Sequence, residues 1–222
     1  MHICSGFRWG AEVVGEQMMD MGKMWDMKFS REGYLYGLKP NAFLVSQKGL
    51  VPERGSILLL GEGEGRNAAY FAKEGFDVTA LDASPVGLTK AGALAKEMGV
   101  EVSLVLQDLG HWSANTHYDA VMTSYLHLKE PLRSKAFKEA LKALNPSGYF
   151  IAEFFSLSQL GRSSGGPQNE ALLYTVEDMQ TIFSDEAVEI VMLEEVEDML
   201  DEGVGHQGMA KIIRVVVKKD AA

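Results

Sequence analysis

The sequence predicts an α/β fold in which a parallel sheet carries helices on both faces. Two observations carry that prediction: short buried-type apolar runs recur from Ser56 onward, and segments with helical periodicity alternate with them, punctuated by glycine and proline. A length of 222 residues suits one domain with a sizeable core. Residues 51–222 read as that domain, and residues 1–50 as an N-terminal helical cap packed on it.

Within the cap, Met18, Met19, Met21, Met24 and Met27 crowd a helix. Thioether chains fill irregular gaps, so packing is the simpler role for them than metal or target binding. Residues 56–60 (SILLL) form the first strand, and 66–75 a helix stopped at Gly75. Residues 76–81 (FDVTAL) alternate as a second strand ending before Asp82. Pro85 opens a helix to Met98, stopped by Gly99. Strands follow at 101–106 and 118–125, a helix at 131–144, the tight turn NPSG, and a strand at 149–155. The Gly/Ser-rich segment 156–173 is long enough to act as a lid or substrate loop. Thr175 and Asp178 form a capping box for a helix to Phe183. Strands at 187–197 and 209–218 flank VGHQG and can pair antiparallel. Six acids within 194–202 read as a solvated strand edge.

Composition narrows the function classes. A formal charge of −10 disfavours a nucleic-acid backbone or an anionic membrane surface as partner, and leaves a small molecule as the default. Cys4 is the only cysteine, which rules out an internal disulfide and a multi-thiolate metal site. No apolar run reaches membrane-helix length, and the N-terminus has no secretory pattern, so a cytoplasmic location is expected. The apolar N-terminal segment is a candidate homodimer contact.

The chemistry concentrates in LLLGEGEGRN, residues 58–67. Gly61, Gly63 and Gly65 end a strand in a turn where backbone can approach a ligand closely. Asp82 follows Gly61 by 21 residues, at the end of the next strand, where a carboxylate can accept ribose hydroxyls. NAD would set a pyrophosphate against this turn. S-adenosylmethionine would set an ammonium there, next to a sulfonium. Glu62 and Glu64 repel the first ligand, and Glu62 attracts the second. Asp108, after the third strand, is placed to accept an adenine amino group.

The stretch GEGEGRNAAYFAKEGFDVTALDASPVGL, with YLYGLKPNAFL before it and EEVEDMLDEGVGHQGMAKIIRVV late in the chain, resembles the class I S-adenosylmethionine-dependent methyltransferases over roughly residues 24–218. Within that family it is most similar to the bacterial tellurite-resistance methyltransferases, with thiopurine methyltransferases further off. The resemblance implies a Rossmann-like three-layer sandwich whose seven-stranded sheet ends in an antiparallel strand. It also implies S-adenosylmethionine as cofactor, with Arg66, Asn67, Ala83, Ser84, Gln107, Leu109 and Tyr125 joining the glycines, Glu62, Asp82 and Asp108 around it. One departure stands out: the family's usual acid two residues before the first glycine is Leu59 here, and Glu62 supplies part of the missing charge.

Methyl transfer needs positioning more than acid–base machinery, and no catalytic triad is present. Acceptor-side candidates are Tyr36, beside Pro40 and Asn41; Tyr125 and His127, after the fourth strand; Phe155 and Arg162; and His206. The resembling subgroup also has a histidine in the last segment, so His206 can orient the nucleophile or remove its proton. The alternative is a histidine that satisfies turn carbonyls, and for His127 a structural role weighs more. His111 and His117 read as surface residues, and the scattered histidines give no metal site. After the fourth strand TSYLHL stands where a nucleic-acid amino-group methyltransferase would carry an N-P-P-Y-like motif. The expected activity is methyl transfer to a small molecule: a thiol, a chalcogen oxyanion such as tellurite, or a metabolite. A non-catalytic S-adenosylmethionine binder and an NAD-dependent oxidoreductase are the competing classes.

Overall fold

The computed structural model describes residues 21–221; Cys4, Met18, Met19 and the rest of the first 20 residues of the expected cap lie outside the described residues. The apolar runs become strands β1 (Ser56–Leu60), β2 (Asp77–Asp82), β3 (Ser103–Leu106), β4 (Tyr118–Ser124), β5 (Leu144–Phe155), β6 (Val188–Glu202) and β7 (His206–Lys219). The intervening helices are α1 (Met21–Phe29), α2 (Ala42–Ser46), α3 (Arg66–Lys73), α4 (Pro85–Glu97), α5 (Leu132–Lys142) and α6 (Val176–Phe183). They give one seven-stranded sheet, ordered β3-β2-β1-β4-β5-β7-β6. β1 to β5 are mutually parallel, and β7 runs antiparallel to both β5 and β6. This is the α/β Rossmann-like architecture with an antiparallel last strand.

Side chains of β1 alternate between two cores because successive Cβ atoms of a strand point to opposite faces. Leu58 and Leu60 join Val121, Phe137, Phe154 and Phe183 on one face, and Ile57 and Leu59 join Phe71, Val78 and Met122 on the other. Leu59 is fully buried. It serves the core, at the position where the resembling family usually has an acid. Burial of each such leucine contributes about 1.5–3 kcal/mol.

Two boundaries differ from the sequence pattern. NPSG, expected as a turn ahead of a strand at 149–155, is instead an irregularity inside β5. Ser147 takes φ 63°, the register against β4 shifts between Tyr118 and Ala120, and Asn145 Nδ2 donates to Asp119 Oδ1 (2.9 Å). Pro146 offers no N–H to the ladder, which is why the irregularity falls there. The last hairpin is also longer than 187–197 and 209–218. Its charged rungs hold because the acids of β6 face bases on β7 or nearby: Glu197 lies 3.9 Å from Lys211, and Arg214 pairs with Asp198. Pairing runs out to Glu202 opposite His206.

The acidic run does sit on the edge strand, but it is not wholly solvated. Glu202 is buried, and Glu195 accepts the Ser156 hydroxyl. The long segment after β5 is organised around buried Gln159. Its Nε2 donates to Ser164 Oγ (2.8 Å) and Gly165 O (3.0 Å), and its Oε1 accepts Lys211 N–H (2.9 Å). Among the described residues, no helix is long and apolar enough to cross a membrane.

Candidate functional site

A pocket of about 920 Å³, counting its open mouth, lies at the carboxyl ends of β1, β2 and β4. Ligands of open α/β sheets bind at this edge. Its floor is the turn after β1. Gly61 and Gly63 take φ 63° and 62°, left-handed values that favour glycine. A Cβ at Gly63 would stand 2.9 Å from the Phe29 ring. Gly65 lines no part of the pocket. It approaches α4, where an added Cβ would meet Ala91 at 2.5 Å, so this glycine lets the two helices close on each other.

Both carboxylates of the floor are buried. Asp82 Oδ2 accepts Gly63 N–H (2.8 Å) and Oδ1 accepts Ser84 N–H (2.7 Å). A carboxylate has about four lone-pair sites, so roughly two remain for hydroxyls of a ligand. Burial raises the Asp82 pKa against the lowering effect of those backbone bonds. Glu62 turns toward the start of α3. Its Oε1 accepts Ala68 N–H (2.7 Å) and its Oε2 accepts Asn67 Nδ2–H (3.1 Å). Burial still pushes its pKa up to about 7. Glu64 is committed elsewhere, to Lys90 (2.8 Å) and Leu35 N–H (2.7 Å).

The adenine-side expectations divide. Ala83, Gln107 and Leu109 face the pocket, whereas Asp108 does not. Its Oδ1 accepts Gly110 N–H (2.6 Å), because a short carboxylate at this position bonds more readily to the backbone two residues on. Ser84 also lies outside the lining; it is the N-cap of α4, accepting Gly87 N–H (2.9 Å). Over the mouth sit Met21, Trp25 and Phe29 of α1, a roof the sequence pattern did not assign to the site. Asp26 anchors this helix by accepting Ser84 Oγ–H (2.5 Å) and Val86 N–H (3.2 Å).

At the far end of the pocket the acceptor-side candidates converge. The His206 ring centre is 4.5 Å from that of Tyr36, 4.3 Å from Tyr125 and 4.9 Å from Phe155. His206 does not sit in a turn, as its sequence context implied, but begins β7. Burial lowers its pKa, against an opposing pull from Glu202, so it is neutral at pH 7. Burial likewise raises Tyr36 to about 12. Tyr125, at φ 56°, donates its hydroxyl to Glu153 Oε1 (2.9 Å).

His127 lines the same chamber but is ill suited to proton transfer. Its Nδ1 lies 2.6 Å from Leu172 O and must donate, and its Nε2 accepts Phe155 N–H (3.3 Å). Both nitrogens are therefore spent on backbone, and burial takes the pKa down to about 3. This side chain braces β5 against the loop, a correction to its catalytic candidacy. Arg162 pairs with Glu197 (2.7 Å) at the surface, away from the pocket.

Behind the chamber runs a polar network that composition alone did not reveal. Arg66 Nη2 meets Glu202 Oε2 at 2.6 Å with both side chains buried. Asn41 Nδ2 donates to Glu202 Oε1 (3.0 Å) and Glu153 Oε1 (2.7 Å), and Arg214 Nε donates to Glu153 Oε2 (2.9 Å). Asn67 Oδ1 accepts Asn41 N–H (2.8 Å), which ties the network to α3. The longer hairpin register is the signal that brings Glu202 here.

The glycine floor, the two carboxylates and the apolar walls fit the amino-acid and ribose portions of S-adenosylmethionine. Residues 57–148 match the family model described as a methyltransferase domain. No curated protein matches the chain in sequence. In structure it is similar to a protein solved in work on the conversion of a disulfide bond into a thioacetal group during echinomycin biosynthesis (TM-score 0.72, 17% identity, 90% of this chain and 92% of that one). It is similar also to TehB from Haemophilus influenzae (TM-score 0.68, 16% identity, 90% and 67%). A third likeness is to the N-methyltransferase NodS from Bradyrhizobium japonicum WM9, solved with S-adenosyl-l-homocysteine (TM-score 0.66, 15% identity, 90% and 98%). At these identities the likenesses speak for the fold, and the family match speaks for the domain. Residues 57–148 thus match a methyltransferase domain, set in a fold shared with S-adenosylmethionine-dependent methyltransferases of known structure.

Proposed function

We propose that the protein methylates a small, uncharged nucleophile in the chamber lined by Tyr36, Tyr125 and His206 and backed by buried Phe155. One observation carries this reading: the charged side chains that line the pocket already have partners within the protein. Arg66 is held by Glu202, Glu64 by Lys90, Glu62 by α3, and Asp82 by the glycine turn. A tellurite-like oxyanion needs a cation to replace its hydration, and an ammonium needs a carboxylate. Among the described lining residues the cation is already paired and the capacity left on Glu62 and Asp82 goes to the cofactor itself, so a thiol or another neutral metabolite suits the site better.

S-adenosylmethionine supplies an activated methyl group, and the chain's task is to align the acceptor with it. Gly61, Gly63, Glu62 and Asp82 hold the amino-acid and ribose ends, and Gln107 and Leu109 flank the base. The aromatic chamber receives the acceptor while α1 covers the mouth and excludes water. Alignment of this kind contributes roughly 7–11 kcal/mol to barrier lowering.

The test is formation of S-adenosylhomocysteine in the presence of thiols, phenols, amines and tellurite. Turnover confined to thiols or phenols is expected. Turnover of tellurite alone would overturn the neutral-acceptor reading, and absence of product with every acceptor would favour a non-catalytic binder.

A further inference from the structure

Four features of the β6–β7 hairpin tip stand apart from the cofactor chemistry. His206 Nδ1 is buried with no hydrogen-bond partner, and His206 itself is only 4% exposed while lining the pocket. Glu202 stands directly across the hairpin, its Oε2 3.7 Å from that Nδ1, too far for a hydrogen bond but within ion-pair reach. Glu202 is itself clamped on the other side by Arg66 and Asn41. The hairpin tip is pressed onto the 35–37 segment: a Cβ at Gly203 would lie 2.4 Å from Gly37 N, and one at Gly205 would lie 2.5 Å from the Tyr36 ring.

Resting on the methyltransferase reading above, we propose that Glu202 is a positioning residue that orients His206 as the general base for acceptor deprotonation. Glu202 takes the Nδ1–H, which fixes the tautomer and leaves the Nε2 lone pair for the acceptor. The acceptor's X–H proton passes to Nε2, and the electron pair left on X forms the new bond to the methyl carbon. The electrons of the methyl's former bond stay with the departing sulfur. The 3.7 Å separation is one that catalytic hydrogen bonds commonly tighten from once substrate is bound.

The charges that face His206 agree with this role. Glu202 favours its protonated form, Arg66 across the same carboxylate opposes it, and His127 nearby is held neutral by burial. Tyr36 and Tyr125 both have raised pKa values and stay protonated near pH 7. His206 is thus the one group at this end of the pocket, among the described residues, with an unoccupied nitrogen in a neutral ring. Glu202 stays ionised: burial opposes it, but His206 and Arg66 outweigh that and hold its pKa below the usual value.

The experiment uses the full chain with two probe thiols: 2-mercaptoethanol, mostly protonated at neutral pH, and 4-nitrothiophenol, mostly ionised. His206→Ala should lose about 100-fold or more in turnover of the first thiol and less than about tenfold with the second, with imidazole in the buffer restoring part of the loss. Glu202→Gln should move the acid limb of the rate profile to lower pH, because removing the carboxylate lowers the His206 pKa further. Its S-adenosylhomocysteine affinity should stay near that of the parent. Equal losses on both thiols in His206→Ala would overturn the proposal, as would an unshifted acid limb in a folded Glu202→Gln. If Glu202→Gln does not fold, the two-thiol comparison and imidazole rescue in His206→Ala decide alone. Binding of S-adenosylhomocysteine without turnover of either thiol would overturn this proposal and leave the cofactor reading standing. No binding would overturn the reading on which it rests.

Discussion

Glu62 and Asp82 both line the pocket, and their hydrogen bonds show how much of each carboxylate the protein already uses. Glycine spacing and the distance from Gly61 put both carboxylates at the pocket floor. What the spacing could not show is that the turn's own N–H groups claim part of each carboxylate before any ligand arrives. For Glu62 this yields a test. Burial holds its pKa at about 7, so much of it is protonated below that pH. An ammonium seated beside it favours the ionised form, so binding expels a proton. Affinity for S-adenosylhomocysteine should therefore rise as pH climbs through about 7 and level off above it. Glu62→Gln should flatten that dependence. Calorimetric titration between pH 5.5 and 8.5, on the order of one unit per step, checks the sign. An unchanged slope in the variant would remove Glu62 from the ammonium site. Asp108 lies outside the pocket lining and His127 within it, but both are tied to backbone. Asp108 bonds to Gly110 two residues on and His127 to Leu172 far along the chain, and such bonds leave no trace in residue spacing.

At the scale of elements, the glycine turn and the strands and helices from Ser56 to Lys142 were legible to within a few residues, because buried strands and capped helices write strong patterns. The last hairpin was not. Its outer half carries Glu197, Asp198, Asp201 and Glu202, which read as solvent edge, yet cross-strand bases and Arg66 hold it in register. That missing register hid the Glu202–His206 pair. The hairpin tip works only because Gly203, at φ 63°, packs its α-carbon against the Tyr36–Gly37 backbone. Gly203→Ala should cost about 1–3 kcal/mol through left-handed strain and backbone crowding. For a chain of this size each kcal/mol lowers Tm by about 2–4 °C. Turnover should fall further than stability explains, since the pair moves away from Tyr36. A melting curve with parallel rates measures both; an unchanged Tm and rate would show that the tip is not locked.

Across the whole molecule, sheet order does the assembling. Placing β1 between β2 and β4 gathers the glycine turn, Asp82 and Tyr125 at one edge, while β7, inserted beside β5, carries His206 to the same place. α1 then closes the mouth from outside the sheet. The fold class was legible in the alternation of elements, but the roof was not, since nothing in the periodicity of a methionine-rich helix says which face it will cover. Leu59 illustrates the global compromise: core packing takes the residue where the resembling family places charge, and the turn residue Glu62 brings a carboxylate to the pocket instead. The central claim is that this pocket binds an adenosyl cofactor through the glycine turn and Asp82. Calorimetric titration of the full chain and of Asp82→Ala with S-adenosylmethionine, S-adenosylhomocysteine and NADH tests it most directly. Binding of both adenosyl ligands, none of NADH, and a loss of about 1–3 kcal/mol in the variant are expected. Equal affinity of the two proteins, or binding of NADH in place of the adenosyl ligands, would contradict it.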